Sequence, residues 1–220
     1  MTPRTLLATA RIPGGDELRL YARGPDHMVV LDRNELMSTR MSGSEEALAT
    51  LTAERLRTRG PRVLIGGYGM GFTLRAALAA FDARARITVA ELVPEIIDWA
   101  RGPMAALTAG CLDDPRVGLR IGDVAEAIAA ERWDAILLDV DNGPDGLVRA
   151  GNNWLYAPTG LAAAKAALNP GGVLAIWSAA SDPAFAKRLR QTGLDVEEVA
   201  VRARSNGKGP RHVIWFARNA

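Results

Sequence analysis

The sequence predicts an α/β domain built on a doubly wound, mostly parallel sheet of seven strands. From Arg62 onward, short β-branched or leucine-rich runs alternate with helical patterns, and two final strand-like runs flank a hairpin turn. Such alternation is typical of a parallel sheet covered on both faces. The chain has 220 residues, of which 48% are apolar, enough to fill one core. We expect this domain over residues 61–220, after a smaller flap at 1–60.

The flap is predicted to be a β-hairpin followed by a helix. Residues 17–22 alternate polar and apolar side chains, and residues 28–31 are a short apolar run that can pair with them. A helix is expected over 42–57, because Ser42 and Glu45 have the spacing of a capping box.

The first half of the main domain follows the order strand, helix, strand, helix, strand. The strands are predicted at 63–66, 87–91 and 117–121. The first helix, 73–81, places apolar side chains three and four residues apart on one face. The second begins at Pro94, since proline is favoured in the first turn of a helix.

The second half continues the alternation and then changes it. Asp123 and Glu126 indicate a helix start, and strands are predicted at 133–140 and 173–178. Between those strands a helix over 156–168 is ended by the NPGG turn at 169–172. A short helix capped by Ser181 or Asp182 follows. The last strands are 194–201 and 212–217, joined by the Asn206–Gly207 turn as an antiparallel hairpin.

Composition argues against several classes of function. The formal net charge is only +2, and the one basic cluster, 202–211, fits a solvated hairpin better than a nucleic-acid patch. One cysteine and two histidines give no cluster at metal-ligand spacing. The apolar runs are shorter than the roughly 20 residues of a membrane span, and Arg11 and Pro13 interrupt the N-terminal one. We expect a cytoplasmic protein without metal, nucleic acid or membrane partners.

A glycine-rich turn is the strongest local signal for ligand binding. In VLIGGYGMGFTL a strand runs into Gly67, Gly69 and Gly71, and a helix follows. Glycine lets the backbone approach a ligand closely, and the N–H groups at a helix start favour an anionic group. The dinucleotide fingerprint requires another glycine where this chain has Phe72, so a nucleoside fits better than a nicotinamide dinucleotide.

Acidic residues follow three of the predicted strands. Glu91 is placed to accept hydrogen bonds from ribose hydroxyls. Asp123 fits equally well as an acceptor from an adenine amino group and as a helix cap. Asp139 and Asp141 are placed to hold or deprotonate a cationic amine.

The stretch 142–153 is long for a connection within a domain, which makes it a candidate lid. Trp154 and Tyr156 at its end fit two roles. They either wall an acceptor pocket or enter the core, and aromatic residues at a helix start are more often core.

From about Glu17 to Arg190 the chain resembles the spermidine synthase family, the polyamine aminopropyltransferases, within the S-adenosylmethionine-dependent methyltransferase superfamily. The matching segments are ELMSTRMSGSEEALATL, VLIGGYGMGFTLRAAL, ITVAELVPEIIDWAR, DPRVGLRIGDVAEAI, WDAILLDV and LNPGGVLAIWS. The resemblance implies a Rossmann-like methyltransferase fold and an adenosyl sulfonium compound as cofactor.

The same resemblance implies roles for individual residues. Glu91 would hold the ribose, Asp123 the adenine and Asp139 the amine, and Glu46 falls near a carboxylate that helps bind the polyamine. Further acceptor contacts are expected from Asn142, Trp154 and Tyr156. The remaining cofactor contacts are expected from Gly67, Tyr68, Gly69, Met70, Gly71, Leu92, Gly122 and Val124.

Two departures from the family pattern bear on the reaction. Where relatives resemble GGGDGG, this chain has Met70 in place of the aspartate, and where they resemble DSTDP, Asn142 replaces the second acid. In relatives, the aspartate at the position of Met70 would attract the ammonium of decarboxylated S-adenosylmethionine and repel the carboxylate of the intact compound. An unpaired charge in a desolvated pocket costs several kcal/mol.

The sequence therefore favours methyl transfer from intact S-adenosylmethionine to a small amine-bearing acceptor, with Asp139 and Asp141 as the catalytic acids. Two alternatives stay open. The chain is a true aminopropyltransferase that uses the decarboxylated compound, or a nucleoside-binding relative without catalysis. By the resemblance we also expect a homodimer.

Overall fold

The structure is a computed structural model that describes residues 3–140 and 153–220. The strands in those ranges are β1 (Thr5–Arg11), β2 (Glu17–Arg23), β3 (Asp26–Leu31), β4 (Asn34–Ser38), β5 (Arg62–Gly66), β6 (Arg86–Glu91), β7 (Val117–Ile121), β8 (Trp133–Leu138), β9 (Leu168–Ser178), β10 (Asp195–Arg202) and β11 (Arg211–Arg218). The α-helices are α1 (Gly43–Arg55), α2 (Phe72–Ala80), α3 (Pro94–Arg101), α4 (Ala105–Thr108), α5 (Val124–Ala130), α6 (Asn153–Tyr156), α7 (Pro158–Ala167) and α8 (Pro183–Arg190).

The large sheet has the order β10-β11-β9-β8-β5-β6-β7. Its pairs from β9 to β7 are parallel, whereas β11 runs antiparallel to both β9 and β10. This sheet confirms the predicted fold, including the final hairpin. After β7 the chain returns past β5 to form β8, so the strand order reverses between β5 and β8. Ligands of open α/β sheets bind at such a reversal, outside the carboxyl ends of the strands.

Residues 5–38 form a second, antiparallel sheet of the order β1-β2-β3-β4. The predicted hairpin is its central pair, β2 and β3. The sequence pattern did not predict β1 and β4. In β1 the consecutive residues Leu6 and Leu7 are 50% and 40% exposed, so no alternation marks the strand.

The predicted capping box at the start of α1 is wrong. Ser42 has helical backbone angles, and its side chain makes no capping hydrogen bond. The first turn of α1 instead lies against the chain that follows β10: the Gly43 N–H donates to the Ala203 carbonyl at 2.9 Å. Since α1 also packs along α2 of the main domain, the domain boundary near residue 60 stays a prediction.

Two other predictions concern the helices α6, α7 and α8. The helix predicted over 156–168 is two helices, α6 and α7, because Ala157 is extended before Pro158. Of the two predicted caps for α8, Asp182 is the one used, and its Oδ1 accepts from the Phe185 N–H at 2.9 Å. None of the described helices combines the length and the apolar character that a membrane span requires.

Candidate functional site

A cavity lies where the carboxyl edge of the large sheet meets the four-stranded sheet. Its apolar lining from the first sheet is Ile12, Leu18, Leu36 and Met37. Leu92, Val93, Ile96 and Trp177 supply apolar surface from the main domain. The position is the one that the strand order predicts for a ligand.

The glycine-rich turn forms one wall of this cavity through Gly67 and Gly69. The φ angles of Gly67, Gly69 and Gly71 are 85°, 55° and 77°, a region that side chains disfavour. A Cβ at residue 67 would lie 2.4 Å from the carbonyl oxygen of Asp139. Glycine at 67 is therefore required both by the turn and by the contact with the end of β8.

Tyr68 and Met70, both predicted to contact a cofactor, have buried side chains that are not among the residues lining the cavity. The Tyr68 hydroxyl lies 3.5 Å from the Cys111 sulfur, and Met70 is 1% exposed within the core. The position where relatives carry an aspartate thus holds a core side chain here.

Glu91, at the end of β6, is fixed by the same turn. Its Oε2 accepts from the Tyr68 N–H and its Oε1 from the Val93 N–H, each at 2.9 Å. The side chain is 5% exposed, and burial raises its pKa while these N–H groups oppose the rise. Backbone N–H groups of Leu92 and Gly69 lower the same pKa. Since a carboxylate oxygen accepts more than one hydrogen bond, ribose hydroxyls would share the Glu91 oxygens with these groups.

Gly122, Asp123 and Val124 line the cavity beside Glu91. Asp123 caps α5, because its Oδ1 accepts from the Ala125 N–H at 2.9 Å. The Gly122 N–H donates to the Glu91 carbonyl at 2.9 Å. The two roles left open for Asp123 are therefore compatible, since the capping residue also borders the cavity.

Asp139 and Glu45 bring two further carboxyl groups to the cavity. The Thr73 hydroxyl donates to Asp139 Oδ2 at 3.0 Å and lies 3.4 Å from the Glu45 carbonyl oxygen. Burial raises the pKa of Asp139 to about 6, and the Thr73 bond opposes that rise. Burial, followed by the charges of Asp139 and Glu46, raises the pKa of Glu45 well above its usual range. A cation between these groups would favour their ionised forms.

Sequence reasoning missed Glu45 and Trp177 as cavity residues. It chose Glu46, but the structure places Glu45 in the lining and Glu46 outside it among the described residues. Trp177 is the penultimate residue of β9, so its place at the carboxyl edge was available from the predicted strand.

Trp154 and Tyr156, the two predicted acceptor contacts that the structure describes, lie outside the cavity lining. Tyr156 is buried and packs edge-on against Phe185 at 5.8 Å between ring centroids, in the core role that the sequence favoured. Trp154 is 37% exposed, and neither aromatic lines the cavity. Asp141 and residues 142–152 of the candidate lid predicted over 142–153, Asn142 included, lie outside the described residues.

The charge of the lining is one-sided. Glu45, Glu91, Asp123 and Asp139 contribute four carboxyl groups, while the described lining includes no lysine or arginine. Such a cavity favours a ligand that carries positive charge and disfavours one that brings a carboxylate.

Comparison with known proteins gives one consistent answer. A polyamine aminopropyltransferase of Mycobacterium tuberculosis (strain H37Rv) is 30% identical over 167 residues, which are 74% of this chain and 29% of that protein. One from Sulfolobus acidocaldarius is 30% identical over 125 residues, or 56% of this chain and 39% of that protein. The chain thus spans less than a third of the mycobacterial relative and two fifths of the archaeal one. No family model matches.

Solved structures support the fold. A spermidine synthase from Thermotoga maritima superposes with a TM-score of 0.76 over 98% of this chain and 72% of its own, at 18% identity. A spermidine synthase in complex with the transition-state analogue AdoDATO superposes with the same values. At this identity the likeness concerns the fold.

Proposed function

Because this chain belongs to the spermidine synthase family, we propose that it transfers an aminopropyl group from decarboxylated S-adenosylmethionine to a small amine. The observation that carries the proposal is the acidic cavity, with four carboxyl groups and no cation among the described residues that line it. The methyl transfer favoured by the sequence has no support from the relatives, which are named for aminopropyl transfer.

The charge of the cavity also separates the two possible donors. Intact S-adenosylmethionine carries a carboxylate, which Glu45 and Asp139 would repel. The decarboxylated donor has a sulfonium and an ammonium, both of which these groups attract. At 4 Å each such interaction is worth from about 1 kcal/mol in water to about 4 kcal/mol near a protein surface. The replacement at Met70 matters less than the sequence suggested, because that side chain faces the core.

Donor binding is assigned to the carboxyl ends of β5 and β6. Glu91 accepts from the ribose hydroxyls, and Asp123 accepts from the adenine amino group. Leu92, Val93 and Ile96 provide an apolar surface for the base. Gly67 and Gly69 allow the backbone to approach the donor closely.

The transfer requires a neutral amine, whereas a primary amine with a pKa near 10 is protonated at neutral pH. Asp139 accepts a proton from the acceptor ammonium, and Glu45 holds the amine against it. The amine nitrogen then attacks the carbon bound to sulfur, a C–N bond forms, the C–S bond breaks and a neutral thioether leaves. Exclusion of water and orientation supply most of the remaining acceleration.

Product analysis tests this proposal. The purified chain is incubated with a panel of diamines and either donor, and the products are identified by mass spectrometry. We expect an aminopropyl adduct with the decarboxylated donor and no methylated amine with the intact one. A methylated product would restore methyl transfer, and binding of either donor without any product would indicate a non-catalytic relative.

A further inference from the structure

A second concave surface lies at the amino edge of the large sheet, on the side opposite the acidic cavity. It is a groove of about 650 Å³ between α7, α8 and the start of β9. We call it the amino-edge groove and define it by Arg132, Lys165, Arg188, Gln191 and Asn219. Its volume falls in the range of small-molecule sites.

Backbone carbonyl groups hold all three cations of the groove. Arg132 donates to the Ala166 carbonyl at 2.6 Å and to the Leu168 carbonyl at 3.0 Å. Lys165 donates to the Thr192 carbonyl at 2.6 Å, and Arg188 to the Tyr156 carbonyl at 3.0 Å. These bonds orient the side chains without neutralising them, because a carbonyl group carries no net charge.

The two carboxylates nearest to Arg132 in sequence are engaged elsewhere. The lining residues described for the groove include no aspartate or glutamate. Glu131, next to Arg132 in sequence, pairs with Arg62. Asp134 accepts from the Asn169 side chain at 3.0 Å and from the Arg62 N–H at 2.8 Å. Within the described parts of the chain, three positive charges therefore share one concave surface.

We propose that the amino-edge groove binds a phosphate-bearing anion. Guanidinium groups match phosphate oxygens with two parallel hydrogen bonds, and Lys165 retains donors beyond the one given to Thr192. The amide groups of Gln191 and Asn219 border the same space. The groove has room for more than one phosphate group, which favours a diphosphate over inorganic phosphate. This site is separate from the proposed transfer reaction and does not depend on it.

Calorimetric titration of the full chain with inorganic pyrophosphate tests the proposal. Wild type should bind, and the affinity should fall as salt rises. Lys165→Gln and Arg188→Gln should each weaken binding about tenfold or more, as expected for a hydrogen bond between charged groups. Arg190→Gln is the matched control, because Arg190 lies on α8 but does not line the groove, and it should bind like wild type.

Circular dichroism of each variant establishes that it folds, and Arg132→Gln replaces any variant that does not. Parallel titrations with inorganic phosphate and ATP distinguish a free anion from a nucleotide as the source of the phosphate. Absence of pyrophosphate binding to wild type would overturn the proposal. Equal weakening by Arg190→Gln, or displacement of pyrophosphate by the nucleoside donor, would overturn it as well.

Discussion

The position of Glu45 in the cavity follows from the helix face on which it lies. Glu45 precedes the buried residues Leu48, Ala49 and Thr52 by three, four and seven positions, the spacing of one helix face. Glu46 does not share that spacing. Helix periodicity therefore pointed to Glu45, whereas the resemblance pointed to its neighbour. The burial of the Met70 side chain could not be predicted from periodicity, because a tight turn has no regular repeat of buried positions.

Replacement of Asp139 should remove the acid limb of the pH profile. Burial places its pKa at about 6, so the wild-type rate should fall as the pH drops through that value and the carboxylate is protonated. Asp139→Asn should lower kcat about a hundredfold or more, and its residual rate should not show that fall. Steady-state kinetics across pH checks this, with exposed Asp195→Asn as control. An unchanged acid limb in Asp139→Asn would assign the proton to another group.

Gly67→Ala should disrupt the turn more than the backbone angle alone explains. The new Cβ would lie 2.4 Å from the Asp139 carbonyl oxygen, and such overpacking costs about 1–3 kcal/mol. Gly171→Ala is the matched control, since Gly171 has a φ of 75° but no atom within 4 Å of its Cβ position. Urea unfolding and donor titration should show a larger loss for Gly67→Ala. Equal losses in both variants would mean that only the backbone angle matters.

At the level of elements, strands with two buried faces were the most predictable. Every residue of β8 is buried, so it appears in the sequence as an apolar run interrupted only by Asp134. The strands β1 and β4 lack such a run and depend on pairing with β2 and β3, which a local pattern does not record. The start of α1 depends likewise on a distant segment, the chain after β10.

Gly43→Ala tests how far α1 depends on that segment. A Cβ at residue 43 would lie 2.4 Å from the Arg204 carbonyl carbon, so the helix start and the hairpin must separate. We expect the free energy of unfolding to fall by about 1–3 kcal/mol and the KM for the amine to rise, because Glu45 lies two residues further on. Gly118→Ala, which meets no atom within 4 Å, should change neither. Equal behaviour of the two variants would contradict the proposed coupling.

At the level of the whole molecule, the acidic cavity should make stability depend on pH. The pKa values of Glu45 and Asp139 are raised in the folded state, so folding favours their protonated forms. The stability that Glu45 and Asp139 contribute is fully present below the ordinary carboxyl pKa. It is lost as the pH rises through the raised pKa values. Burial lowers the pKa of His212, which acts in the opposite direction. The effect of a carboxyl group is therefore measured as the difference between its variant and the wild type, since His212 is present in both.

As the pH rises above about 4, the ordinary carboxyl value, Glu45→Gln should lose less stability than wild type, because it removes one of the carboxyl groups whose pKa is raised. Urea unfolding at several pH values measures this difference. Glu54→Gln, an exposed position on the same helix, should follow the wild-type curve. A Glu45→Gln curve parallel to wild type would show that folding does not raise the pKa of Glu45.

The order of strands and helices, the seven-stranded sheet and the final hairpin were all predictable because repeated buried runs report the main topology. The placement of the four-stranded sheet over the cavity was not, since it depends on contacts between segments far apart in sequence. The charge of the cavity emerged only when α1, β6, β8 and the turn before α5 were brought together.

The contact between residue 67 and the carbonyl group of Asp139 has a consequence for protein engineering. The glycine-rich turn would bind the nucleoside, and the end of β8 would bind the amine. These two segments contact each other through backbone atoms, so no side chain lies between them that a substitution could shorten. Transplanting either segment from a relative would therefore carry over its own spacing and shift the other. Attempts to change the amine accepted should exchange both segments together.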